Sequence, residues 1–162
     1  MKRVLYTGSF DPITEGHMDI ISQAIDLFDE VVIAVLQNSK KKDFFFTQEE
    51  RVTLIQKLYA NNPHVQVISG NGAAVDIALE YQCAAIIRGL RGLTDFDYEI
   101  QMAGINKEIS NNRVNTICLF ADTNHQYISS SMVKEIFSLG KNIGKYVDPF
   151  IEEAMKKRNS KN

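Results

Sequence analysis

The sequence predicts an α/β protein: a single-domain, doubly wound, five-stranded parallel sheet. Three observations carry that prediction. Short continuous apolar runs recur, as in strands covered on both faces. Amphipathic segments of helical period lie between them. Glycine turns and helix-capping residues mark the joints.

The first strand is Val4–Tyr6, followed by Thr7-Gly8-Ser9-Phe10-Asp11-Pro12-Ile13-Thr14-Glu15-Gly16-His17. A helix near 16–28 then shows an apolar face of Met18, Ile21, Ala24, Ile25 and Phe28. The second strand is Val31–Leu36. The next helix, near 47–60, opens on a capping box, Thr47-Gln48-Glu49-Glu50, with Val52, Ile55, Leu58 and Tyr59 as its stripe. Strand Val65–Ser69, a helix near 73–81, strand Ala84–Arg88, a helix near 94–109 and strand Val114–Phe120 continue the alternation. Two more helices are expected near 130–139 and 148–158, the first stopped at Gly140. The expected domain covers 1–158, and 159–162 is a polar tail.

Composition bounds the function. The chain has 162 residues, 44% hydrophobic and 23% charged, with a net charge of -2. That balance suits one soluble domain and makes no electrostatic case for nucleic acid. No apolar run approaches the roughly 20 residues of a membrane span, and no signal peptide is visible. A cytoplasmic location is the expectation, with no membrane partner. Cys83 and Cys118 lie in or beside apolar runs and are expected as buried, reduced thiols. No Cys/His cluster has zinc-ligand spacing, and no residue is assigned as a metal ligand.

Ligands of open parallel sheets sit at the carboxyl ends of the strands. The first strand is followed by Gly8, Ser9 and His17, the second by Asn38-Ser39-Lys40-Lys41-Lys42. The fourth is followed by Arg88-Gly89-Leu90-Arg91-Gly92, the fifth by Asp122 to Ser131. Hydroxyls, glycines and cations thus gather on one edge. Helix N-termini add free N–H groups and a positive dipole end, so the edge suits phosphate.

Each residue also has a plainer reading. Ser9 can bind a phosphate oxygen or stabilise a turn. His17 follows a glycine turn in T-x-G-H, which favours a functional role over a structural one, in either charge state. Lys40–Lys42 is a solvated loop or an arm for phosphate. Phe44-Phe45-Phe46 is core and capping contact, or a shield against water. Arg88 and Arg91 can grip phosphate bidentately or form salt bridges with Asp95 and Asp97. Glu99 can accept ribose hydroxyls or pair with an arginine. Ser129-Ser130-Ser131 cap a helix, cradle a second phosphate, or do both. The sequence has no P-loop, dinucleotide fingerprint or nucleophile elbow.

These residues carry a resemblance. The chain resembles the bacterial phosphopantetheine adenylyltransferases, a family of the nucleotidylyltransferase superfamily marked by T/H-x-G-H. The match runs over nearly the whole chain. Gly8-Ser9-Phe10-Asp11-Pro12-Ile13-Thr14-Glu15-Gly16-His17 and Ile128-Ser129-Ser130-Ser131 mark the superfamily. Phe46-Thr47-Gln48-Glu49-Glu50-Arg51, Ile87-Arg88-Gly89-Leu90-Arg91 and Asp95-Phe96-Asp97-Tyr98-Glu99 narrow it.

The resemblance implies a Rossmann-like nucleotidylyltransferase fold and transfer of AMP from ATP to 4'-phosphopantetheine. The products would be dephospho-coenzyme A and pyrophosphate, in the penultimate step of coenzyme A biosynthesis. It implies Mg²⁺ and a homohexamer. Carried over, His17, Lys41 and Arg91 are catalytic, and Ser9, Lys41, Ala74 and Arg88 bind the acceptor. Ser9, Phe10, His17, Gly89, Leu90, Arg91, Glu99, His125, Gln126, Tyr127, Ile128, Ser129, Ser130 and Ser131 line the ATP site. Ser9 stands where many members have threonine. The loop 37–46 is one residue longer than usual, so Lys41, the preferred acceptor lysine, competes with Lys42. Lys134 is a candidate for the basic residue after the serines. The alternatives are a relative acting on another acceptor, such as nicotinamide mononucleotide, and a nucleotide sensor without catalysis.

Overall fold

The computed structural model describes residues 1–37 and 43–160, with the backbone alone for Leu93 and Thr94. Along the chain come β1 (Arg3–Gly8), α1 (Glu15–Leu27), β2 (Glu30–Leu36), α2 (Gln48–Leu58), β3 (Val65–Gly70) and α3 (Ala74–Glu80). β4 (Ala85–Leu90), α4 (Leu93–Ile109), β5 (Asn115–Phe120), α5 (Ser130–Ser138) and α6 (Pro149–Asn159) follow. All strands are parallel, in the order β3-β2-β1-β4-β5. The doubly wound five-stranded fold expected from the alternation is therefore the one observed.

The topology makes a crevice. The chain winds outward through β1, β2 and β3, then returns to start β4 on the other side of β1. β1 pairs with β2 through Gly8↔Val35, and β4 pairs with β5 through Leu90↔Phe120. Between β1 and β4 the register ends at Tyr6↔Ile87. Beyond it the two strands part, at the position where an open α/β sheet takes its ligand.

Strand alternation divides the core in two. Val4, Tyr6, Val31, Ile33 and Ile87 face a cluster with Ile20, Ile21 and Ala24 of α1, Val133 of α5 and Ile151 and Met155 of α6. Leu5, Val32, Ala34 and Ile86 face the opposite way, against Val75, Ile77 and Ala78 of α3. Gly140 ends α5 as expected, at φ +69°, and its N–H donates to Phe137 O.

Three expectations are corrected. β4 runs past Arg88 to Leu90, because pairing with β5 outlasts pairing with β1. The edge strands are not covered on both faces: Phe120 is 75% exposed. For the same reason Cys118, on edge strand β5, is exposed, while Cys83 is buried as expected. No helix among the described residues is long and apolar enough to cross a membrane.

Candidate functional site

Gly8 ends β1 under the Phe10 ring, where a Cβ would lie 3.1 Å from the ring. A side chain there would press the ring by a few tenths of an ångström. Phe10 itself has φ +49°, in the left-handed region rare for a bulky residue. Its buried ring packs edge-on against Tyr6 and against His17, at 5.4 Å and 5.0 Å between centroids. The turn therefore plugs the end of the core and leaves Ser9 at the crevice.

T-x-G-H has a local physical reason. Thr14 is the N-cap of α1, and His17 is the third helical residue. The His17 N–H donates to Thr14 Oγ1 at 3.4 Å, and the Thr14 N–H donates to His17 Nδ1 at 3.0 Å. This is a capping box with histidine in place of glutamate. Because Nδ1 accepts, a neutral imidazole carries its proton on Nε2. Burial, helped by the Arg91 charge, lowers the His17 pKa from the usual 6.5 to about 4. The ring at neutral pH is therefore an uncharged Nε2–H donor.

A cleft of about 360 Å³ lies over the parting of β1 and β4. Of the expected residues it brings together Ser9, Phe10, His17, Arg88, Gly89, Arg91, Ile128, Ser129, Ser130 and Ser131. The N-termini of α1 and α5 both meet it. The serines divide their work. Ser129 Oγ caps α5 by accepting from Met132 N at 3.1 Å, and Ser130 Oγ donates to Pro12 O at 2.8 Å. Ser131 is exposed in the cleft. Cap and cradle are thus compatible: the side chains of the first two hold the loop, and first-turn N–H groups have no intrahelical acceptor.

A second cavity, of about 210 Å³, opens on the other face of the sheet between α3 and α4. Ala74, Tyr98, Glu99, Met102, Asn106 and Thr116 line it, and Arg88 and Thr7 line both cavities. Arg88 is held by Glu99, with Nε donating to Oε2 at 2.9 Å and Nη2 to Oε1 at 2.8 Å. Burial opposes the guanidinium charge, but the Glu99 hydrogen bond and charge outweigh it and raise the Arg88 pKa. The Thr116 hydroxyl oxygen is buried without a hydrogen-bond partner among the described residues.

Some expected placements differ. Glu99, expected in the nucleotide site, lines the second cavity and has both oxygens on Arg88. Arg91 pairs loosely with Asp95, at 3.8 Å, and its Nη1 donates to Ile128 O at 3.3 Å. The ion-pair partners are thus Glu99 and Asp95, not Asp97. Leu90 is buried in β4 and touches neither cavity. His125, Gln126 and Tyr127 also lie outside both lining sets. His125 instead contributes its backbone, packed near Gly16, and Tyr127 packs edge-on against Tyr146. Lys41, with Lys40 and Lys42, lies outside the described residues.

Two buried polar groups went unread in the sequence. Asp11 accepts from Phe45 N at 2.7 Å and Phe46 N at 2.9 Å, and pairs with Lys134 Nζ at 3.2 Å. Lys134 is therefore tied to Asp11. Arg51 is buried in the stripe of α2. The signal for it was spacing: Arg51 precedes Ile55 by four residues and Leu58 by seven, on the apolar stripe itself, and only its charge argued for solvent. Phe46 is core, Phe45 stacks edge-on between Phe46 and Phe137, and Phe44 lies over the Arg51 guanidinium.

The described residues offer no dedicated Mg²⁺ site. They contain no group of three His, Cys, Asp or Glu placed to hold a metal. Asp11 is the only carboxylate lining the first cleft among them, and Phe45, Phe46 and Lys134 already engage it.

The sequence profile of the cytidylyltransferase-like family matches residues 5–136. A solved structure from Vibrio parahaemolyticus, of a protein proposed to be a nicotinate-nucleotide adenylyltransferase, superposes with a TM-score of 0.68 at 19% identity. The likeness covers 97% of this chain and 93% of that one. A lipopolysaccharide core biosynthesis protein from Thermoplasma volcanium GSS1 gives a TM-score of 0.57 at 22% identity, over 75% of this chain and 97% of that one. At these identities the likeness is one of fold.

Proposed function

The chain belongs to the cytidylyltransferase-like family, and from that premise we propose that it transfers AMP from ATP to 4'-phosphopantetheine, releasing pyrophosphate and dephospho-coenzyme A. The observation that carries this reading is the meeting of two cavities at Arg88 and Thr7. One cavity has two helix N-termini, His17 and Arg91, and suits a triphosphate. The other runs between α3 and α4 with mixed lining, Ala74, Met102, Asn106 and the unpaired Thr116 hydroxyl. It suits a narrow acceptor with apolar and amide groups. The acceptor's phosphate would reach Arg88 from one side and the nucleotide from the other.

The chemistry needs no general base. A phosphate monoester is largely dianionic near neutral pH, because its second pKa is about 6. Its oxygen attacks the α-phosphorus, the bond to the bridging oxygen breaks, and pyrophosphate leaves with that electron pair. Positioning and charge stabilisation supply the catalysis. Neutral His17 donates from Nε2 to the α-phosphoryl oxygens. Arg91 and the α5 N-terminus take the β- and γ-phosphates, while Ser9 and Arg88 hold the acceptor. Lys41 is assigned to the acceptor phosphate as well, so Lys41→Ala should impair turnover more than Lys42→Ala. Glu99 orients Arg88. Mg²⁺ would arrive with the triphosphate rather than on a site of protein carboxylates.

The same reading includes a homohexamer in the cytoplasm. Tyr98, Ile105 and Ile109 of α4 are exposed along one side, Phe96 and Ile100 along another. A helix with exposed apolar stripes on two sides favours coverage by a neighbour.

Pyrophosphate release from ATP should depend on 4'-phosphopantetheine and not on nicotinamide or nicotinate mononucleotide. His17→Ala should fold, bind ATP and lose at least about 100-fold in turnover. Release with a mononucleotide alone would move the chain to another acceptor. ATP binding without release under any acceptor would make it a sensor.

A further inference from the structure

Arg51 is 1% exposed, although it carries a full positive charge. Its guanidinium is gripped on four sides. Nη1 donates to Ser9 O at 2.6 Å and to Leu36 O at 3.0 Å. Nη2 donates to Gln37 Oε1 at 2.7 Å, and Nε donates to Thr47 O at 3.2 Å. The Phe44 ring covers one face, with its centroid 4.3 Å from Cζ.

Two of these acceptors are the first carbonyls past a broken ladder. β1 and β2 pair as far as Gly8↔Val35. Beyond it the chains separate, and buried carbonyls there need donors. Arg51 supplies both from one nitrogen and so ties the ends of β1 and β2 together. The Ser9 carbonyl shares its peptide plane with the N–H of Phe10, the residue at φ +49°. A strained residue persists only where its surroundings over-determine it. The Phe10 ring meets His17 at 5.0 Å. Rotation of the Ser9–Phe10 peptide would therefore displace the Ser9 hydroxyl and the packing of His17 together.

We propose that Arg51 is a positioning residue: by holding the Ser9 carbonyl it fixes the turn that places the Ser9 hydroxyl and the His17 imidazole for phosphoryl chemistry. The inference rests on the adenylyl-transfer reading for its kinetic consequence, but the grip on the turn does not depend on which acceptor is used. Lysine keeps the charge, yet lacks the planar fork that serves separate acceptors while stacked on an aromatic face.

The test combines two variants with two readouts. Arg51→Lys should lower kcat on the order of 10- to 100-fold, the scale of a misplacement near 1 Å. Because Arg51→Lys can also destabilise the fold, Gln37→Ala serves beside it: Gln37 is exposed and its amide oxygen serves Arg51 Nη2. Gln37→Ala should lower kcat roughly 3- to 10-fold with a smaller fall in Tm than Arg51→Lys, as loss of one hydrogen bond to a charge allows. The second readout is amide hydrogen exchange of the unliganded protein. Exchange at Thr14, whose N–H donates to His17 Nδ1, should accelerate about tenfold or more in Arg51→Lys, while the interior of β1 keeps its protection.

A purely structural Arg51 would lower Tm and leave kcat, measured well below Tm, at the wild-type value. That result, or unchanged kcat and exchange in Gln37→Ala, overturns the proposal. Exchange that responds in a protein releasing no pyrophosphate would uphold the grip and reject the adenylyl-transfer reading instead.

Discussion

Glu99 holds the Arg88 guanidinium with both carboxylate oxygens, at 2.8 Å and 2.9 Å, and leaves Nη1 turned toward the Thr7 hydroxyl at 3.4 Å. Glu99 is buried and Arg88 is at the wall shared by the two cavities. The carboxylate thus aims the cation as well as compensating it.

Glu99→Gln should therefore act on the acceptor. The amide keeps one acceptor oxygen but loses the charge. The acceptor KM should rise on the order of 10-fold, the value of a charge-assisted hydrogen bond, while the ATP KM changes little. Steady-state kinetics with each substrate varied checks this. A rise confined to ATP would return Glu99 to the nucleotide.

Arg88 and Arg91 should separate by ligand. Arg88 lines both cavities, whereas Arg91 lines only the cleft that also holds His17 and the serine turn. Arg88→Ala should chiefly weaken phosphopantetheine binding and Arg91→Ala chiefly ATP binding. Each loss is expected on the order of 1.5–3 kcal/mol, or roughly 10- to 150-fold. Titration calorimetry on the folded variants measures both. Equal loss of both ligands in both variants would make the arginines one electrostatic unit.

His17 should titrate near pH 4, with Nδ1 unprotonated at neutral pH. Nitrogen-15 NMR of the ring reads both. The linkage has a definite sign. Burial, with Arg91, lowers the folded pKa from 6.5 to about 4, so the unfolded chain binds more protons between those values. The stabilisation from neutral His17 is complete above pH 6.5, falls as pH drops toward 4, and changes no further below it. A protein whose stability difference from His17→Gln stays flat across that window would contradict the buried neutral ring.

Self-association should depend on α4. Light scattering at micromolar concentration is expected to show an oligomer, and Ile105→Asp should shift it toward monomer without unfolding it. Ile105 is 46% exposed, so the substitution leaves no core void. A monomeric wild-type chain would remove the hexamer from the reading.

Much of this molecule is local and therefore legible along the chain. Apolar runs and their alternation with helical segments located the five strands and six helices of the described residues, because packing against a core writes itself into nearby residues. Capping chemistry located the α2 start at Thr47 and the α5 stop at Gly140 for the same reason. Glycine turns and cations after successive strands pointed to the sheet edge over which the larger of the two cavities lies. What tertiary structure alone decided is pairwise and distant. The Glu99 partner of Arg88 depends on how α4 packs over β4, and the burial of Arg51 depends on carbonyls from Ser9 and Leu36, far away in sequence. Exposure of Cys118 follows from β5 being an edge, a property of strand order rather than of the strand. The charge of His17 depends on its burial and on the Arg91 charge beside it. Sequence spacing records which atoms a residue carries; desolvation and long-range partners, which set charge and orientation, exist only once the chain has closed upon itself.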